Sequence, residues 1–323
     1  MLQIYQPSSP ARQPATRAVQ ENVLVQLLQS LTNGDTEEVL HGVGDDAAVI
    51  RGGDQDWVVT TDLIADGSHF LSHDATPEQI GRKAMAVNLS DIAAMAAKPV
   101  AAFVSLLLPT STTDEYAASL MKSIIAIGRE FDCPVAGGDT NTWDGKLAIN
   151  VLILGKTTSR GPILRSNAKP GDWLLVTGEL GGSLAGHHLN FRPRVDEALM
   201  LNERYELSAG MDLSDGLAMD VRRLSAMSNC GAEIFLDELP ISSVLKQQTN
   251  SREEQIASAI GDGEDFELLL AVAPPEAQRI LKDQPLDTPI TRVGTCIAES
   301  SIWQIENGKR TPLPAAGYEH GSK

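Results

Sequence analysis

Between His41 and Phe70 the chain reads HGVGDDAAVIRGGDQDWVVTTDLIADGSHF, and no other stretch restricts the fold as much. Two apolar runs, Ala47–Ile50 and Trp57–Thr61, flank Arg51-Gly52-Gly53-Asp54-Gln55-Asp56. Branched and apolar residues on either side of glycines and aspartates predict a β-hairpin. A turn centred on Asp54 pairs the arms antiparallel and sets Asp46 opposite Asp62. Two carboxylates and the hydroxyls of Thr60 and Thr61 then meet at one end of a sheet. Close carboxylates repel one another, and a cation between them relieves the repulsion. Oxygen ligands, with no Cys or His suitably placed, favour Mg²⁺ or Ca²⁺ over zinc. The same aspartates also serve as ordinary turn formers, and this stretch alone does not separate the two readings.

The rest of the chain supplies a mixture of helices and strands. A helix is expected over Asn22–Leu31, stopped by Asn33-Gly34. A second starts at Thr76, with Pro77 in its first turn and Gln79 completing a capping box, and runs to about Ala97 before Lys98-Pro99. Its apolar stripe (Ala84, Val87, Ala94, Met95) also carries Asn88 and Asp91. A carboxylate facing the core costs several kcal/mol unless it is paired or bound to metal, so Asp91 is a candidate ligand. The plainer reading has it cap a break in the helix or pair with Lys83 or Arg82. Ala101–Leu108 reads as a buried strand, Asp114–Glu130 as a helix, Pro134–Thr140 and Lys146–Gly155 as strands. A polar connection at Thr158-Ser159-Arg160-Gly161 divides the chain into 21–158 and 159–323, after a loose, flexible tail over residues 1–20. In the second half, strands are expected at Trp173–Thr177, Ala232–Leu236, Phe266–Val272, Thr291–Ile297 and Ile302–Glu306. A helix follows Asp215 and another spans Pro275–Lys282, while the stretch after Leu236 reads as loop.

At 323 residues the chain suits two domains, and its 42% hydrophobic and 21% charged residues are ordinary for a globular protein. No run of about 18 apolar residues suggests a membrane span. A net charge of −17 argues against nucleic acid or an anionic membrane as partner. The three cysteines, Cys133, Cys230 and Cys296, have no CxxC spacing, which suits a reducing, cytoplasmic setting. The chain has no GxxxxGK[ST], HExxH or GxSxG string. Gly42-Val43-Gly44-Asp45-Asp46-Ala47 fits GxGxxA in letters, but it puts acids where a pyrophosphate would lie and leads into a strand. What recurs instead is an aspartate at the end of an element, beside Gly, Ser or Thr: Asp45-Asp46, Asp62, Asp91, Asp139, Asp212 and Asp215. Together they suggest a multi-metal phosphate site assembled from both halves.

These strings carry a specific resemblance. GVGDDAAVI, TTDLIADGSHF, KAMAVNLSDIAAMAAKP, GGDT, LRSNAKPGDWLLVTGELG, MDLSDGLAMDV and GDGEDFELL occur in the order found in the thiamine-monophosphate kinase family. That family shares a superfamily with aminoimidazole ribonucleotide synthetase, selenophosphate synthetase and the hydrogenase-maturation protein HypE. The resemblance implies a mixed α+β fold, in which an N-terminal sheet joins a partner's across a homodimer as a sheet or barrel and a C-terminal α+β domain follows. It implies ATP and several Mg²⁺ ions in the cleft between the domains. The metal ligands it implies are Asp46, Thr60, Thr61, Asp62, Asp91, Asp139, Asp212 and Asp215, with Asp46, Asp91, Asp139 and Asp215 central to catalysis. Gly138, Arg165 and Ser214 match positions that contact ATP. His69, Glu264 and Tyr318 match positions that hold the thiamine substrate. The implied reaction is direct in-line phosphorylation of thiamine monophosphate to thiamine diphosphate. The alternatives are a superfamily relative using another acceptor, and a non-catalytic acidic nucleotide- or metal-binding protein. One departure is the segment Gly186–Val195, shorter than the family usually shows, with Asn190-Phe191 where Arg-Pro is expected.

Overall fold

The computed structural model describes residues 21–32 and 36–318. The expected tail over 1–20 and the Asn33-Gly34 stop lie outside the described residues. In the first half the order is α1 (Glu21–Leu31), β1 (Val39–His41), β2 (Ala48–Ile50), β3 (Trp57–Ala65), α2 (Pro77–Ala94), β4 (Lys98–Pro109), α3 (Asp114–Glu130), β5 (Val135–Trp143) and β6 (Ala148–Lys156). The second half holds β7 (Trp173–Thr177), α4 (His187–Asn190), α5 (Val195–Arg204), β8 (Ala209–Asp212), α6 (Leu217–Met227), β9 (Gly231–Phe235), α7 (Ser243–Gln248) and α8 (Arg252–Gly261). It closes with β10 (Leu268–Val272), α9 (Pro274–Asp283), β11 (Ile290–Ile297), β12 (Ile302–Glu306) and β13 (Lys309–Pro312). Two open sheets result, a six-stranded one ordered β1-β2-β3-β6-β4-β5 and a seven-stranded one ordered β13-β12-β9-β11-β7-β10-β8. The mixed α+β class is as expected.

α2 is the element that positions the site. Thr76 accepts from the Gln79 amide, and the Gln79 side chain accepts from the Thr76 amide, which forms the capping box. The helix ends at Ala94 with Met95 as its C-cap, ahead of the expected Ala97, because Ala96 turns left-handed at φ 46°. Lys98 and Pro99 already belong to β4. α2 packs on β3 and β6 of the first sheet and on α5 and β8 of the second half. Its buried residues therefore lie all round it, Lys83, Asn88 and Ser90 among them.

Two local expectations are corrected. The hairpin pairs Ala48 with Val59 and Ile50 with Trp57, so its centre falls between Gly53 and Asp54, and Asp46 is not set opposite Asp62. Arg51 donates its amide to Glu38, and Asp56 takes the Gly52 amide, which fixes the turn there. The stretch after Leu236, read as loop, contains α7 and α8, each opened by a serine cap at Ser242 or Ser251.

The glycines ahead of Asp139 have a structural reason. Gly138 adopts φ 152°, and a Cβ there would lie 1.7 Å from the Val104 carbonyl of the neighbouring β4. Gly138→Ala is therefore expected to cost about 2–4 kcal/mol in chemical denaturation. A loss below about 1 kcal/mol would mean that edge strand β5 yields without disturbing the sheet.

Candidate active site

Asp46 precedes β2, Asp91 lies in the last turns of α2, and Asp212 ends β8 of the second sheet. The fold brings oxygens of these three carboxylates within 4.8 Å of one another. Thr60 donates its hydroxyl to Asp91 at 2.5 Å, and Ser90 donates to Asp212 at 2.5 Å. Burial, then the charges of Asp62, Asp212 and Asp46, push the Asp91 carboxyl well above the usual carboxylate range. Asp212 is pushed up in the same way, by burial first and by Asp46 next. Asp62 is thus a fourth acid at the cluster, and its amide donates to the buried Asn88 side chain at 2.9 Å.

Arg165 answers part of this charge. Arg165 donates from Nε and Nη2 to the two oxygens of Asp46, at 3.1 and 2.5 Å, a bidentate pair. Its amide donates to Asp45 at 3.0 Å, and burial, followed by the Asp46 charge, pushes Asp45 up to about 6. The close approach of Asp46, Asp91 and Asp212, with burial and mutual repulsion resisting the ionisation of Asp91 and Asp212, is the electrostatic condition for holding a hard cation. Of the expected ligands, Asp46, Thr60, Asp62, Asp91 and Asp212 gather here.

Three others do not. Strand alternation sends Thr61 to the opposite face of β3, where its hydroxyl donates to Asn150 at 3.1 Å. Asp139 pairs in register with Ser105 on that same open face, and it accepts from the Thr140 amide and the Asn141 side chain. Asp215 stands before α6, where Gly216 occupies the cap position without a side-chain cap. The Asp215 carboxylate pairs with Arg223, which also holds Asp220. Burial and the Asp215 charge push Asp220 up to about 7. Beside Gly138 a cavity of ≈ 510 Å³ runs along β5, lined by Val104, Leu106, Met121 and Val135–Thr140 but by none of the clustered acids.

Two of the expected substrate residues, His69 and Glu264, meet around Lys83, which sequence reasoning offered only as a partner for Asp91. Lys83 is fully buried, and its ammonium donates to Glu264 at 2.6 Å and to the His69 carbonyl at 2.7 Å. Arg82 instead donates to the Phe191 carbonyl and pairs with Glu130. His69 is fixed further by the Ala65 amide, which donates to its Nδ1 at 3.1 Å. Glu264 sits in a loop where three of four successive residues are left-handed: Gly263 (φ 74°), Glu264 (φ 56°) and Phe266 (φ 51°). Its amide donates to Ser214 at 2.7 Å, and the Tyr318 amide donates to the adjacent Asp215 at 3.0 Å. Ser214, Glu264 and Tyr318 thus border one rim. Phe191, at the departing segment, stacks on Phe266 at 4.1 Å and 11°, buttressing the loop from behind.

Ser90 and Asn88 were also missed as supports of the acids. The signal lay in α2, where Asn88, Ser90 and Asp91 stand close together in an otherwise apolar stretch that strands and helices bury on every side.

Comparisons with known proteins follow this geometry. The model of the AIR synthase related protein N-terminal domain matches residues 44–157, and that of the C-terminal domain matches 169–303. A thiamine-monophosphate kinase of Rhodopirellula baltica is 41% identical over 299 residues, 88% of this chain and 92% of that protein. The thiamine-monophosphate kinase of Escherichia coli K12 is 33% identical over 305 residues, 86% of this chain and 91% of that one. A solved structure described as AaThiL complexed with AMPPCP and TMP superposes with a TM-score of 0.82 at 26% identity. It covers 96% of this chain and all of its own.

Proposed function

This chain belongs to the thiamine-monophosphate kinases of the AIR synthase related family, and on that premise we propose how its residues divide the work. It is an ATP-dependent kinase that converts thiamine monophosphate to thiamine diphosphate. The observation that carries this reading is the cluster of Asp46, Asp91 and Asp212, built from both halves and flanked by Arg165. In the reaction the bond between the γ-phosphorus of ATP and its bridging oxygen breaks. A new bond forms from that phosphorus to a phosphate oxygen of thiamine monophosphate, and ADP leaves. The acceptor is already an anion, so no strong general base is required. The protein's task is to align two anions and offset their charge.

The buried excess of carboxylate oxygens fits Mg²⁺, with Asp46, Asp91 and Asp212 as ligands and Thr60 and Asp62 beside them. Bound there, Mg²⁺ supplies charge neutralisation at the phosphates. Thr61, Asp139 and Asp215 belong to the proposed ligand set from sequence but stand away from this cluster. Arg165 and Ser214 face the nucleotide, together with the backbone at Gly138. His69, Glu264 and Tyr318 hold the thiamine end, where the Tyr318 ring offers about 0.5–2 kcal/mol to a cation. The halves are divided at 158/159, a division supported by the ranges of the two matched domains.

A homodimer is part of the same proposal. Strand β5 is an edge with exposed residues along nearly its whole length, and Leu63, Phe103 and Trp143 leave apolar surface exposed. A cytoplasmic setting is supported by the cysteines, all free. No helix among the described residues is long and apolar enough to cross a membrane.

The test is formation of thiamine diphosphate from thiamine monophosphate and ATP, with Mg²⁺ and with Mg²⁺ removed by chelation, read by chromatography of the oxidised fluorescent products. Product that depends on Mg²⁺ is expected. ATP binding without product would remove the thiamine assignment and turn attention to other phosphate acceptors.

A further inference from the structure

Among the described residues Lys83 is the one lysine with a fully buried large side chain, and lysine is almost never enclosed unless it is paired. It lies on α2 of the first half, eight residues before Asp91, and reaches across to Glu264 of the second half. The same ammonium holds the His69 carbonyl. Neither contact belongs to the aspartate cluster.

We propose that Lys83 is a positioning residue for the acceptor substrate, setting the separation and orientation of His69 and Glu264 across the interdomain cleft. The inference rests on the assignment of those two residues to the thiamine end. The Glu264 backbone is held at a left-handed φ of 56°, a conformation that persists only where neighbours impose it. Its amide is tied to Ser214, which leaves the carboxylate as the free end of the loop for Lys83 to anchor. The Glu264 side chain is 23% exposed, so it keeps a face toward the cleft while Lys83 holds its inner oxygen. On the other side the His69 ring is oriented by the Ala65 amide, and its carbonyl is fixed by Lys83. One ammonium therefore fixes both walls. It also balances the Glu264 charge, so this wall contributes geometry to acceptor binding more than net charge.

The full chain is compared with Lys83→Met, which keeps the stem and removes the donors, and with Lys83→Gln, which keeps a donor. Steady-state constants are measured for each substrate at saturation of the other, with melting temperatures alongside. KM for thiamine monophosphate is expected to rise about tenfold or more in Lys83→Met, while kcat and KM for ATP change less than about threefold. Adding Glu264→Gln to Lys83→Met is expected to raise that KM by clearly less than the same change does in the parent, because part of what it removes is the link that Lys83→Met has already broken. The proposal is overturned if KM for thiamine monophosphate stays within about threefold of the parent, if all constants worsen together with the melting temperature, or if neither variant folds. Parent protein that binds ATP but makes no thiamine diphosphate fails the functional reading itself, and the inference with it, before any variant is compared.

Discussion

Asp91→Asn is expected to lower turnover by about 100-fold or more while leaving the melting temperature of the metal-free protein unchanged or raised. Asp91 sits among Asp62, Asp212 and Asp46, whose charges together with burial resist its ionisation. Asparagine keeps an oxygen for the Thr60 hydroxyl and removes a charge that the folded chain holds at a cost. Charge stabilisation by a bound cation is worth several kcal/mol, and each 1.36 kcal/mol is tenfold in rate, which sets the scale of the loss. Turnover with Mg²⁺ and thermal melting in chelator are the two measurements. A strongly lowered melting temperature would make Asp91 a structural residue.

Glu264→Ala is the change expected to hurt folding most, by about 3–5 kcal/mol near neutral pH. Removing this carboxylate leaves the Lys83 ammonium enclosed, with only the His69 carbonyl as a named acceptor. Burial already lowers the Lys83 pKa, and Glu264 is what raises it again. The penalty has a ceiling, because the lysine can give up its proton. Neutralising a group of ordinary pKa about 10.4 at pH 7 costs roughly 4–5 kcal/mol, at 1.36 per unit. The sign with pH follows. A lysine depressed in the folded state is charged more readily when unfolded, so the deficit of Glu264→Ala shrinks as pH rises toward 10. Urea denaturation at pH 7 and pH 9.5 measures both the size and the slope. A loss under about 1 kcal/mol, or one that does not change with pH, would refute the account.

Much of this architecture was legible in the sequence. Asp114–Glu130 and Trp173–Thr177 fall where pattern and punctuation set them, because Thr113 caps the first and glycines bracket the second. The aspartates were legible too, as acids beside small or hydroxyl residues, although Asp62 and Asp139 stand inside β3 and β5 and not at an element's end as expected. That signature does not say which way a carboxylate faces. Asp139 and Asp215 share it, yet strand register turns one to the open face and Arg223 claims the other. The helices at Ser243–Gln248 and Arg252–Gly261 escaped because they are short and bury few residues, Leu245, Ile256, Ala259 and Ile260. The Lys83–Glu264 pair joins positions 181 residues apart, beyond any local pattern.

The enclosure of α2 on all sides also makes it a ruler. From Lys83 to Asp91 the helix advances eight residues, about 12 Å at 1.5 Å each, and neither end can slide without the other. With the proposed roles of Asp91 and Lys83, selection by length follows: a phosphorylated acceptor would be gauged by the span from its phosphate to its far ring. Inserting one residue between the two marks would turn one end by about 100° against the other, so the gauge tolerates substitution but not a change in count.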